Sequence, residues 1–160
     1  MISTQNTSVL KILRSFGEIN LDHFDDRLRL QKLGYLAQNL GANEEFPFSW
    51  YVHGPYSTSL TSILFAGDEN GSFDDDVELT TTEKHVVENL KNLLKENTCN
   101  PSILELYASI WYLTPNKKLS DSDKKHVVDL MRKEKPHFSQ LQIENALKEI
   151  ISFRSKLNYS

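Results

Sequence analysis

Between Leu33 and Glu83 the chain has no lysine and no arginine, while the same stretch carries nine acidic residues. The whole chain of 160 residues has a formal net charge of −4, which argues against a strongly basic nucleic-acid binder. Cysteine is nearly absent. Cys99 stands alone, so no disulfide can form within the chain, and a reducing compartment fits. No window approaches the run of about eighteen apolar residues that a membrane helix needs. The first twenty residues carry Lys11, Arg14 and Glu18 without an uninterrupted apolar run, and Ile2 and the last four residues match no lipidation box. A cytoplasmic protein without a membrane partner is the expectation. Nucleophile elbow, phosphate loop and dinucleotide fingerprint are all missing. No catalytic residue, cofactor or metal is predicted, and the chain is read as a non-enzyme.

Hydrophobic residues make up 39% and charged residues 25% of the chain, the composition of an ordinary globular domain. At this length roughly two-thirds of the unfolded surface is buried on folding, enough for a core without cross-links. The acidic middle is followed by a basic end: residues 84–160 hold thirteen basic and nine acidic residues. Such asymmetry speaks to partners and solubility rather than to fold.

Periodicity predicts a mainly helical protein with a small β-hairpin. Val9 to Phe16 has helical spacing and stops at Gly17. Asp22 to Leu40 forms a second helix with Leu33, Leu36, Ala37 and Leu40 inward, ended by Gly41. Phe48, Trp50 and Val52 alternate as a short strand, broken by His53-Gly54-Pro55. A short helix over Tyr56–Phe65 follows, with Ser57 as cap. Asn70-Gly71 is a favoured hairpin turn, with Val77 to Thr80 as the returning strand. Four helices complete the chain. Thr80-Thr81-Thr82-Glu83 and Ser139-Gln140-Leu141-Gln142 fit capping boxes, Asn100-Pro101 suits a cap and first turn, and Ser120 opens the sixth helix. The order suggests a winged-helix-like part over 1–82 packed on a helical part over 83–160, together one compact unit.

Several clusters invite a functional reading. Asp68, Asn70, Ser72, Asp74 and Asp76 alternate like calcium ligands. The sixth and twelfth positions hold Phe73 and Leu79 where glycine and glutamate are needed, so a solvated turn is expected. The five histidines have no helical zinc spacing. His53-Gly54-Pro55-Tyr56-Ser57 is the densest local signal. It reads as a rigid turn, with Tyr56 beside Trp50, or as a partner pocket rimmed by Tyr51, His53 and Tyr56. Arg27, Arg29 and Lys32 read as a solvated basic face of the second helix. Lys117, Lys118, Lys124, Lys125, Arg132, Lys133 and Lys135 form a denser cluster, interrupted by Asp121, Asp123, Asp129 and Glu134, and read as a mixed-charge surface.

Leu30-Gln31-Lys32-Leu33-Gly34-Tyr35-Leu36-Ala37-Gln38, with Phe48 to Ser57 ending on Gly54-Pro55-Tyr56-Ser57, resembles the YwgA-like proteins and, more distantly, the Panacea domain of SocA-like antitoxins. Leu104 to Ser109 and Lys135 to Ser139 extend the likeness over most of the chain. For the YwgA-like group the resemblance implies no reaction; for Panacea domains it implies antitoxins that bind and neutralise toxins. Gln31, Lys32, Tyr35, Gly54, Pro55 and Tyr56 carry over as family markers only. Gly34 and His53 sit where related sequences often have bulkier residues and other aromatics.

A winged helix raises DNA binding. The expected recognition helix (Tyr56–Phe65) and wing (Gly67–Thr80) contain no lysine or arginine, whereas phosphate neutralisation supplies most non-specific DNA affinity. A protein-interaction or regulatory module is therefore expected, with Asp74, Asp75 and Asp76 facing a partner with a basic surface, such as a toxin. The alternatives are a DNA-binding regulator using Lys117, Lys118, Lys124, Lys125, Arg132 and Lys133, and an enzyme with a pocket near His53 and Tyr56. Self-association into a homodimer stays open.

Overall fold

Helix boundaries fall where local capping chemistry puts them. The computed structural model describes residues 7–69, 71 and 78–158. Among these, α1 (Ser8–Arg14) and α2 (Phe24–Asn39) are followed by β1 (Ser49–Tyr51) and β2 (Gly54–Tyr56). Then come α3 (Thr58–Glu69), α4 (Thr81–Leu94), a 3-10 turn (Lys95–Asn97), α5 (Pro101–Leu113), α6 (Asp121–Glu134) and α7 (Gln140–Asn158). The protein is mainly helical with one two-stranded antiparallel hairpin. No helix among the described residues is long and apolar enough to cross a membrane.

Thr80 and Glu83 close the capping box of α4, with Glu83 N–H donating to Thr80 Oγ1 at 3.1 Å and Thr80 N–H to Glu83 Oε1 at 2.8 Å. Ser120 with Asp123, and Ser139 with Gln142, do the same for α6 and α7. Asn100 accepts from Ile103 N–H ahead of Pro101. Gly17 and Gly41 adopt φ of +126° and +117°, conformations that L side chains rarely adopt, just beyond α1 and α2.

α1 is capped from a distance. Its first two amides, Ser8 and Val9, donate to the two oxygens of Glu44 at 2.6 and 2.9 Å. Ser8 Oγ donates to Glu83 at 2.5 Å, and Lys11 pairs with the same carboxylate at 2.7 Å. Burial would raise the Glu83 carboxyl. The hydrogen bonds from Lys11, Ser8 and the Thr80 amide outweigh it and hold the group below its ordinary value.

α2 is the axis of the fold. Every residue from Leu30 to Ala37 is buried, Gln31 and Lys32 included, because α1, α3, α4, α5 and β2 all pack around it. The solvated basic face expected over Arg27, Arg29 and Lys32 is therefore corrected. Lys32 is 1% exposed. Arg27 donates to the Leu21 carbonyl, and Arg29 to the carbonyls of Phe16 and Thr98. At Gly34 a Cβ would come within 2.7 Å of Leu60 Cδ2, so this glycine lets α3 approach α2.

The hairpin sits one element earlier than expected. The chain turns at Val52-His53 and returns as Gly54–Tyr56, pairing Trp50 with Pro55 and Tyr51 with Gly54. Gly54-Pro55 forms the second strand rather than breaking the first. Proline is tolerated there because a two-stranded sheet has only edges. α3 runs on through Gly67 to Glu69, and residues 78–80 form no strand. The rest of the expected wing, residues 70 and 72–77, lies outside the described residues, and with it Asp74, Asp75 and Asp76.

Candidate functional site

A hairpin with three-residue strands is marginal by itself, and this one is fixed by buried amines. Lys32 Nζ, from α2, donates to the Pro55 carbonyl at 2.6 Å. Lys135 Nζ, just beyond α6, donates to the Val52 carbonyl and lies 5.1 Å from the centroid of the Trp50 ring. Both lysines are 1% exposed. Lys135, expected within a solvated cluster, is thus a core residue.

Glu105 on α5 supplies the countercharge. It is 4% exposed and collects three nitrogens. Lys135 Nζ lies 3.7 Å from Oε2, His137 Nε2 lies 3.1 Å from Oε2, and His53 Nδ1 lies 3.1 Å from Oε1. Burial of ammonium groups favours their neutral form. Lys32 is accordingly pushed down to about 7, with burial the main cause, Glu105 opposing it and the charge of Lys135 adding to it. Lys135 is lowered too, again by burial against the pull of Glu105.

Gly54 (φ +92°) lies against α5. A Cβ at this position would collide with Ser109 Oγ and come 3.8 Å from Lys32 Nζ. Ser109 Oγ is buried and has no hydrogen-bond partner among the described residues. The positive φ and the close approach to α5 both call for glycine here.

The other side of the hairpin faces a cleft of about 380 Å³ between α2 and α3. Phe24, Leu28, Leu64 and Phe65 line its walls, with Arg27 and Lys32 from α2 and Tyr51, His53 and Tyr56 from the hairpin. The structure thus brings together the three residues expected to rim a pocket. Tyr51 packs edge-on against Tyr56 at 5.4 Å and Phe24 against His53 at 5.1 Å. Tyr56 does not lie beside Trp50 as expected. Trp50 packs on Tyr112 at 5.6 Å, since adjacent strand residues point to opposite faces. Behind Tyr56 runs a short relay. Gln31 accepts from Ser57 N–H, donates to the Ser57 carbonyl and to Thr61 Oγ1, and Thr61 donates to Tyr56 Oη at 2.8 Å.

The basic candidates are spread along α6 and the loop before it. Lys117, Lys118 and Lys124 border a recess beside Arg154. Lys124 and Lys125 also border a groove between α6 and α7, with Asp129 and Glu144 in the same lining. Arg132 and Lys133 lie two turns further along α6, and Arg132 donates to Gln140 at 3.0 Å. Lys117 lies 3.8 Å from Asp123. Cys99 is exposed.

Lys32, Glu105, Lys135 and His137 escaped the sequence as a group. They come from three separate segments; in the sequence Lys32 and Lys135 read as parts of solvated basic clusters, and the resemblance runs through all three segments without bringing them together. Comparison with protein-family models, with curated proteins and with solved structures gave no match.

Proposed function

We propose that the protein is an interaction module, regulatory and of the antitoxin kind, that offers the cleft beside its hairpin to a protein partner. One observation carries this reading. Six large hydrophobic residues are exposed among the described residues, and four of them, Phe24 (52%), Tyr51 (51%), Val52 (81%) and Phe65 (40%), line this one cleft. Scattered exposed apolar residues need no explanation, whereas apolar residues gathered at one place mark interaction sites. The hairpin is held from behind by Lys32 and Lys135, so the cleft is pre-formed and ordering it costs little on binding. Asp25 and Asp26 follow Phe24, and Asp68 and Glu69 follow Phe65 on α3. These acids suit a partner whose body is basic, and the resemblance to Panacea-type antitoxins points the same way.

The test is capture of the tagged protein's partner from native lysate, with and without nuclease. Wild type is compared with Val52→Asp/Phe65→Asp and with Lys124→Glu/Lys125→Glu. A stoichiometric protein lost only in the cleft variant is the expected result. Retention in that variant, with loss in the lysine variant or on nuclease treatment, would replace this reading with a DNA-binding regulator. All four side chains are exposed, so neither variant threatens the fold.

A further inference from the structure

The lining of the cleft has a one-sided chemistry. Among the described residues no aspartate or glutamate lines it, although residues 33–83 carry nine acids and no lysine or arginine. What faces it are donors. Arg27 comes from α2, while the Lys32 amine is held on the Pro55 carbonyl and His53 Nδ1 on Glu105. Tyr56 joins Arg27 through the direction of its relay. The Gln31 carbonyl oxygen accepts from Ser57 N–H, so its amide nitrogen faces Thr61 and donates to Thr61 Oγ1. Thr61 donates in turn to Tyr56 Oη, leaving the Tyr56 proton without an acceptor among the described residues. The nearby acceptors are already used. The Val52 and Pro55 carbonyls receive the two lysines, and both oxygens of Glu105 face histidines. A donor-rich, acid-free cleft with apolar walls is complementary to an apolar group that carries an anion.

Resting on the proposed role of the cleft in holding a partner segment, we infer that the segment is the C-terminal end of the partner chain, an apolar last residue with its free carboxylate. At a chain end the carboxylate and the last side chain share one Cα. Both enter a cleft of about 380 Å³ together. An internal aspartate or glutamate brings its acid on a separate residue, with chain continuing in both directions. The last side chain packs between Phe24, Leu64 and Phe65, and the carboxylate meets the donors of Arg27 and Tyr56. Capture of a terminal carboxylate by fixed donors is an established mode of peptide recognition.

Titration calorimetry and ligand-observed NMR on the full chain test this with N-acetyl-phenylalanine, N-acetyl-phenylalaninamide and octanoate. The carboxylate form of the amino acid is expected to bind at least about tenfold tighter than the amide, the value of one charge-assisted hydrogen bond. Arg27→Gln should narrow that gap, and Tyr56→Phe, which removes only a hydroxyl, should narrow it by less. Equal binding of acid and amide overturns the inference, as does an unchanged gap in both variants. Octanoate binding without N-acetyl-phenylalanine binding replaces a chain end by a free acyl carboxylate. Binding of none of the three probes overturns it as well. Each of these results leaves the capture experiment with Val52→Asp/Phe65→Asp to decide separately whether the cleft holds a partner.

Discussion

The charges beneath the hairpin and the charges along α6 are built from the same residue types in opposite environments. On α6, Lys124, Lys125, Arg132 and Lys133 stand in water among Asp121, Asp129 and Glu134. Water screens each of them, and the net contribution of such pairs is about 0–1 kcal/mol. Beneath the hairpin, Lys32, Lys135 and Glu105 are almost wholly removed from water. There a charge must be matched by a countercharge and by carbonyl acceptors, or it must lose its proton. The lesson is that counting charges along the sequence says little about which of them matter. Three residues from three segments hold the hairpin; of the dense lysine cluster only Lys135 is among them, while Lys124, Lys125, Arg132 and Lys133 stay exposed.

Removing the shared countercharge should break this contrast most sharply. Glu105→Leu leaves two buried amines and two histidines without their carboxylate, and should cost about 3–5 kcal/mol in denaturant unfolding. A loss below about 1 kcal/mol would place the buried trio on the same footing as the α6 surface.

Next in size is a pH effect. Lys32 holds its proton with a folded-state value of about 7 against an ordinary 10.5. Above the lower value the unfolded chain binds more protons at this residue than the folded chain. Stability should therefore rise with pH between about 7 and 9, by up to about 1.4 kcal/mol per unit. Below about 7 both states are protonated and the contribution is flat. Lys135 shifts in the same direction and adds to the slope. Lys32→Met should flatten most of the rise, as read by unfolding midpoints across that window. An unchanged slope would assign the effect elsewhere.

Gly54→Ala should cost about 1–3 kcal/mol, from positive φ and from the collision with Ser109 Oγ. Ser109→Ala removes a hydroxyl that has no partner and should be nearly neutral. The double variant should recover the collision and keep the backbone strain. Strict additivity in that double-mutant cycle would mean that the two residues do not touch. The smallest effect belongs to the surface: Lys124→Ala/Lys125→Ala should stay within about 0.5 kcal/mol of wild type.

Much of the fold was legible because it is written locally. The caps at Thr80, Asn100, Ser120 and Ser139 depend on residues within three positions, and so do the stops at Gly17 and Gly41. The hairpin was misplaced because Gly-Pro usually ends an element. Here the strand carrying it needs no inner hydrogen bonds, and Lys32 supplies a donor from outside. The burial of Lys32 was illegible for a related reason. Helical periodicity assumes one wet face, and α2 has none where the others pack around it. In the cleft, Tyr51, His53 and Tyr56 could be found together because they sit within six residues of one another. Phe24, Arg27 and Phe65 could not, since only the packing of α2 against α3 brings them there.

The distant cap of α1 also bears on the order in which the chain folds. A helix of seven residues has too few turns to recover its nucleation cost alone. Its leading amides find their acceptor only in Glu44, which arrives after α2 and the following loop are in place. α1 therefore joins a framework that already exists. Its amide protons should exchange with solvent earlier than those of α2, and Glu44→Gln should speed that exchange while leaving α5 protected. The entry of the chain into its own core is controlled by a residue that lies beyond the next helix.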